Sequence, residues 1–226
     1  MQDMLEYLSR PPRIESEAPP PVLVLFHGYG ANMHDLIGLA DVMDPRLHVL
    51  AAQAPLDLAE VGMPGGRAWF HLQQDATGQI QYDLDGARRS VEVATEFLTQ
   101  ATQSIECDRS RILAMGFSQG AMLAHAILLQ ARFPLAGIAA CSGRLVEALF
   151  DDADIARKNV PSGMPVLLTH GSLDDLIPIS HGHALRDFYQ STEADLTWVE
   201  EPIGHGIGPS SVEALSGWST QTVDRI

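Results

Sequence analysis

The chain has 226 residues, 46% of them apolar, and a formal net charge of −15. That length supports one well-buried core, and the acidity argues against nucleic-acid partners and against stable association with anionic membranes. No apolar run reaches the roughly 18 residues of a membrane span, the N-terminal MQDMLEYLSRPPR lacks an apolar signal core, and Cys107 and Cys141 are too few for a disulfide framework, so a cytoplasmic protein with reduced thiols is expected.

In chain order, Pro19-Pro20-Pro21 marks an entry turn, and the VLVLF run at 22–26 reads as a strand buried on both faces. A helix is expected over 33–43 and a second strand over 47–52. Residues 57–82 are rich in glycine and carry no clear pattern, as expected of a loop that covers a site. A long amphipathic helix follows over 84–105, with Leu84, Ala87, Val91, Ala94, Leu98, Ala101 and Ile105 on one stripe. Residues 111–117 read as a strand and 120–131 as a helix apolar nearly all round. Further strands are expected over 135–140, 165–169 and 195–199, with helices over 180–189 and 210–223. The last helix opens on Ser210-x-x-Glu213, the pattern of a capping box. Residues 150–164 show no element. Strands alternating with helices predict one α/β domain over 1–226, with a mostly parallel sheet covered on both faces and ligands at the carboxyl ends of its strands.

Gly116-Phe117-Ser118-Gln119-Gly120 follows one predicted strand directly and opens a buried helix. A sharp strand-to-helix turn of this kind lifts a serine hydroxyl above the sheet edge, and flanking glycines make room for it. A hydroxyl needs a base to become a good nucleophile. His205 is the best candidate, because the glycines of IGHGIG let a loop turn the imidazole back over the sheet. His181 and His183 read as solvated helix residues, His125 as a core histidine, and His170 ends a strand. For the acid, THGSLDDLIP offers Asp174 and Asp175 just past a strand. The first choice is Asp174. An oxyanion hole requires the N–H of Gln119 and one from the loop FHGYGAN, where Tyr29 is the expected donor.

Competing chemistries fit less well. Met33 stands where a dinucleotide loop needs its third glycine, and no Gly-x-x-x-x-Gly-Lys phosphate loop exists. The spacing of His181, His183, Asp174 and Asp175 matches no established metal-ligand pattern, so neither metal nor cofactor is expected.

Taken together, LFHGYGAN, GGRAWF, GFSQGA, HGSLDDLIP and GHG, in that order, resemble the phospholipase/carboxylesterase branch of the α/β hydrolases, which includes the acyl-protein thioesterases. The resemblance implies an α/β-hydrolase fold, Ser118, Asp174 and His205 as a triad, and Tyr29 and Gln119 as oxyanion donors. Its pattern after His-Gly favours Asp174 over Asp175, and Trp69 corresponds to a tryptophan that helps form the acyl site. Tyr29 replaces a common leucine, and His71 stands where an acidic residue is frequent. The expected activity is hydrolysis of small carboxylic esters with short to medium acyl chains through an acyl-enzyme. A thioesterase or lysophospholipase with the same triad, or a catalytically silent binding protein of this fold, are the alternatives. Met63, Trp69 and Phe70 would line the alkyl site or simply pack their loop down. If that loop is exposed, homodimer contacts around the mouth are expected.

Overall fold

A computed structural model describes residues 4–14, 16–74, 80–150 and 152–226. Its centre is a seven-stranded sheet. The strands are β1 (Tyr7–Arg10), β2 (Val22–Phe26), β3 (His48–Ala52), β4 (Ile112–Phe117), β5 (Gly137–Cys141), β6 (Pro165–Gly171) and β7 (Asp195–Glu201), in the spatial order β1-β3-β2-β4-β5-β6-β7. All neighbours run parallel except β1, which pairs antiparallel with β3 from Tyr7↔Ala52 to Arg10↔Val49. Every residue of β2, β3, β5 and β6 is buried, which is what a sheet covered on both faces demands of its sequence.

The covering helices are α1 (Met33–Leu36), α2 (Leu84–Ser104), α3 (Gln119–Leu129), α4 (Ala153–Lys158), α5 (Ile179–Gln190) and α6 (Pro209–Arg225). One face of the sheet packs Val24, Phe26, Ile112 and Ala114 against α2, α3, α4 and α5. The other packs Leu23, Leu25, Leu113 and Met115 against α1 and α6. Burying each such Val or Leu side chain contributes about 1.5–3 kcal/mol. The chain winds outward from β2 to β3, then crosses back to β4 on the other side of β2. That reversal opens a crevice between the carboxyl ends of β2 and β4, directly beneath Ser118.

Several elements differ from expectation. The helix expected over 33–43 is a single turn capped by Asn32 and then a 3₁₀ turn over Ile37–Asp41. Gly38 lies in the middle of it, where helix propensity is lowest. β1 is short and mixed in polarity, and Pro11-Pro12 ends it, so it carries no strand pattern of its own. The expected loop over 57–82 contains two small antiparallel pairs, Leu56–Asp57 with Arg67–Ala68 and Leu72–Gln74 with Ile80–Tyr82, while its residues 75–79 lie outside the described residues. The stretch expected to be featureless over 150–164 holds α4, whose cap is the Asp152 carboxylate accepting from Asp154 and Ile155 N–H. The capping box at Ser210 does not form. α6 starts one residue earlier, at Pro209, and the Glu201 carboxylate takes the Ser210 and Ser211 N–H groups instead.

Two glycines predict opposite responses to alanine. A Cβ at Gly120 would overlap the Phe26 carbonyl oxygen, so Gly120→Ala is expected to cost more than about 3 kcal/mol in urea unfolding. Gly217 is exposed in α6 with open space around it, and Gly217→Ala is expected to add roughly 0.5–1 kcal/mol in the same assay.

Candidate active site

Ser118 sits between β4 and α3 with φ 54° and ψ −114°, in a region that L side chains rarely occupy. Its N–H donates to the Cys141 carbonyl of β5 at 2.9 Å, which anchors the turn to the neighbouring strand. The reversal leaves the side chain projecting from the sheet edge. His205 Nε2 lies 2.9 Å from Ser118 Oγ, and His205 Nδ1 lies 2.7 Å from Asp174 Oδ2. With Nδ1 protonated and donating to the carboxylate, Nε2 is left as an acceptor for the serine hydroxyl.

Each partner is held by backbone. Asp174 Oδ1 accepts the Leu176 and Ile177 N–H groups at 3.0 and 2.8 Å, which fixes the carboxylate and leaves Oδ2 to His205. Asp174 is buried and Asp175 is exposed, so the doublet is resolved by burial. The acid and base loops touch backbone to backbone. Ser172 N–H donates to the Glu201 carbonyl at 2.7 Å, Leu173 N–H to Ile203 at 3.0 Å, and a Cβ on Gly171 would overlap the Ile203 and Gly204 carbonyls. The Ser142 hydroxyl donates to Gly206 O at 3.2 Å and steadies the far side of the base loop.

Glu201 ties this region together in a way the sequence did not announce. Its main chain accepts from the acid loop, and its carboxylate spans to Ser210 N–H, Ser211 N–H and the Ser211 hydroxyl, so the loop carrying His205 is tied at both ends. Desolvation acts to raise its pKa, but these donors outweigh it and hold the carboxyl below its ordinary value of 4.5.

The two expected oxyanion donors have no hydrogen-bond partner for their N–H groups among the described residues. Both are aimed by buried neighbours. Gln119 is 2% exposed, its Oε1 accepting Trp69 N–H at 2.8 Å and its Nε2 donating to Phe70 O at 2.7 Å, so the side chain turns inward from the N–H. At Tyr29 the device is His27, a residue absent from the sequence-based site. His27 Nε2 accepts Ala54 N–H at 3.1 Å, so Nδ1 carries the proton and donates to Gly28 O at 2.8 Å. In a trans peptide the carbonyl and the following N–H point in opposite directions, so fixing Gly28 O inward turns Tyr29 N–H outward. Burial lowers the pKa of His27 and keeps it neutral for this role.

A cavity of about 280 Å³ opens beside Ser118 and His205, bordered by Tyr29, Leu72, Tyr82, Met122, Leu176 and Ile177. Trp69, Phe70 and Met63 do not border it. Trp69 and Phe70 are each 1% exposed and belong to the core, where Trp69 Nε1 donates to His27 O at 2.9 Å. The expectation that they line an alkyl site is corrected here: they pack the loop down and brace Gln119. Met63 is 39% exposed, and its Cε fills the space where a side chain at Gly30 would go. Leu72, Tyr82 and Met122 take the wall instead. Met122 follows Ser118 by one helical turn, and that spacing was the available signal.

The other histidines are placed apart from the hydroxyl. His183 faces Glu200 at 3.1 Å on the surface. His125 is buried against the Tyr189 hydroxyl at 2.8 Å, and burial drives its pKa down to about 3. His170 lies beneath Asp174, donating from Nε2 to Ile177 O at 2.8 Å and so bracing the same turn. Among the described residues no three His, Cys, Asp or Glu side chains converge as a metal ligand set.

Residues 12–220 match the sequence profile of the phospholipase/carboxylesterase family. The chain belongs to that family. It is 28% identical over 188 residues to acyl-protein thioesterase 1 of Kluyveromyces lactis, covering 79% of this chain and 81% of the relative. Among solved structures, esterase PE8 superposes with a TM-score of 0.79 at 28% identity, covering 97% of this chain and all of the other. The carboxylesterase of Bacillus cereus superposes with the same TM-score at 24% identity, covering 98% of this chain and 96% of that one. The family's α/β-hydrolase fold and its ester-hydrolysing chemistry therefore extend to this chain. None of the described helices is long and apolar enough to cross a membrane.

Glu201→Gln is expected to reveal the cap of α6 by its pH dependence. A carboxyl held low in the folded state stabilises above its unfolded pKa and stops doing so as pH falls through the folded value. Thermal unfolding of the unaltered protein is therefore predicted to weaken below about pH 4.5, and Glu201→Gln to start lower and flatten that slope. Equal slopes in the two proteins would contradict the assignment.

Proposed function

We propose that the protein is a serine carboxylesterase that cleaves small carboxylic esters through an acyl-enzyme, with Ser118, His205 and Asp174 as its triad. The observation that carries this is the unbroken line of hydrogen bonds from Asp174 through His205 to Ser118, ending beside an apolar cavity. Ser118 Oγ attacks the ester carbonyl carbon while His205 Nε2 takes the hydroxyl proton. The carbonyl π pair moves onto oxygen, and the N–H groups of Tyr29 and Gln119 hold that oxyanion. Its collapse breaks the bond to the alcohol oxygen, which leaves with the proton from His205 as Asp174 steadies the imidazolium. Water then repeats the sequence on the acyl-enzyme, releasing the acid and restoring Ser118. No cofactor enters any step.

Short to medium acyl chains fit the cavity beside Ser118, whose walls include Leu72, Tyr82, Met122 and Ile177. Thioesters are a second substrate class for the same residues. They react at the same carbonyl, and the Kluyveromyces lactis relative is named for that activity.

A fluorophosphonate probe is expected to label the protein at one site, with Ser118→Ala unlabelled and its ester turnover lower by roughly a million-fold, as when a triad acts as a unit. Asp174→Asn is expected to cost about ten-thousand-fold by offering His205 the wrong tautomer partner. Labelling that survives Ser118→Ala, or turnover that does, would overturn the assignment. A series of p-nitrophenyl esters of growing acyl length is expected to peak within the short to medium range.

A further inference from the structure

A second apolar recess lies on the opposite side of His205 from the acyl cavity. It has a volume of about 350 Å³ and is lined by Leu36 and Leu39 from the α1 side, by Ile207 and Val212 from the α6 side, and by Phe117, with Asp35 at its rim. Phe117 and His205 border both recesses. Their rings pack at a centroid distance of 4.9 Å and form the wall between the two. Leu36, Leu39 and Ile207 of this recess pack with the α1 and α6 face of the sheet, whereas Leu72, Tyr82, Met122 and Ile177 of the acyl cavity pack with the α2 and α3 face, so the recesses lie toward opposite faces and meet at His205.

We infer that this recess is the subsite for the alcohol portion of the ester, and that the alcohols it accepts are neutral and apolar. The inference rests on the ester hydrolysis proposed above. Tyr29 N–H and Gln119 N–H fix where the carbonyl oxygen points, and the leaving oxygen must come within reach of His205 Nε2, since that nitrogen returns the proton. The acyl group lies in the cavity beyond Tyr29, Leu72 and Met122, so the alcohol carbons continue past the other edge of the imidazole. That edge is where Phe117, Ile207 and Leu39 begin. The bond that breaks is the one between acyl carbon and alcohol oxygen, and the proton from Ser118 leaves on that oxygen, so the subsite binds a neutral group before and after the step.

Charge narrows the class further. Among the described residues, Asp35 is the one carboxylate lining the recess. It stands exposed on a chain of net charge −15, so a phosphate or carboxylate on the alcohol side would be repelled. No lysine or arginine among the described residues lines the recess to offset that repulsion. Linear or branched alkanols therefore fit, and leaving groups built around a phosphate do not.

The test varies the alcohol at constant acyl group. For methyl, ethyl, propyl and butyl acetate, kcat/KM is expected to rise by up to about fourfold for each added methylene that is buried. Val212→Phe narrows the recess from the α6 side and is expected to lower the butyl-to-methyl ratio at least tenfold. The ratio of methyl butanoate to methyl acetate, which reports the acyl cavity, is expected to keep its value. Leu39→Trp narrows the recess from the opposite wall and is expected to give the same split, which keeps the test available if either variant fails to fold. A flat alcohol series in a protein that labels with fluorophosphonate and turns over acetate esters would overturn the subsite alone. So would parallel loss of both ratios in the two variants. A protein that neither labels nor turns over any ester would remove the triad assignment and the subsite with it.

Discussion

Gly116 and Gly120 leave no side chain between β4, the first turn of α3 and the end of β2, and the site follows from that closeness. A Cβ at Gly116 would overlap the Gly120 carbonyl, and one at Gly120 would overlap the Phe26 carbonyl. With the three backbones in contact, the chain can pass from strand to helix only through a tight reversal. Ser118 absorbs it at φ 54°. A non-glycine residue held in such a region costs about 1–3 kcal/mol and persists where its surroundings over-determine it. Here they do: the Ser118 N–H is taken by Cys141 O, and every residue of α3 behind it is buried. The strain is confined to the residue whose hydroxyl must stand clear of the sheet.

The same economy of backbone governs the other groups. The proposed triad and oxyanion loop come from the ends of four parallel strands, β2, β4, β6 and β7. Each loop is fixed by main-chain bonds to its neighbour rather than by side chains reaching across. Where side chains do the fixing, they are buried and neutral, as with His27 at the oxyanion loop and His170 beneath the acid loop, or charged and fully partnered, as with Glu201 at α6. Burial lowers the pKa of both histidines. The segment expected to be a cover borders the cavity with Leu72 and Tyr82, and its first half also acts as a brace. Gly30 N–H donates to Arg67 O and Arg67 N–H to Ala31 O, so the 56–68 hairpin is clipped to the oxyanion loop.

The parts of this arrangement that were legible in the sequence are those that depend on local composition. The run VLVLF has to be a strand buried on both sides, and the glycines around Ser118 and His205 permit turns that few other residues allow. The order serine, acid, histidine places each group at a strand end. What was not legible depends on distant partners. Whether Trp69 faces a ligand or the core is decided by Gln119, fifty positions later, whose amide binds its backbone. The cap of α6 comes not from Glu213, three residues after Ser210, but from Glu201 at the end of the preceding strand. His27 carries no signal of its own in the sequence, because its effect comes from Ala54 fixing its tautomer. The wall residues Leu72 and Tyr82 pair across a hairpin that the glycine-rich composition concealed.

Two recesses meeting at one imidazole give the proposed site a direction, with the acyl group assigned toward α3 and the alcohol toward α1 and α6. That polarity has meaning only if Ser118 stands between His205 and two converging N–H groups at the moment of reaction. The most direct measurement is the crystal structure of the protein after reaction with a dialkyl p-nitrophenyl phosphate, whose phosphoryl group mimics the tetrahedral intermediate. The account predicts phosphorus bonded to Ser118 Oγ, with its phosphoryl (P=O) oxygen about 2.7–3.1 Å from the N–H groups of both Tyr29 and Gln119. An adduct on another residue, or a phosphoryl oxygen turned away from those two donors, would contradict it.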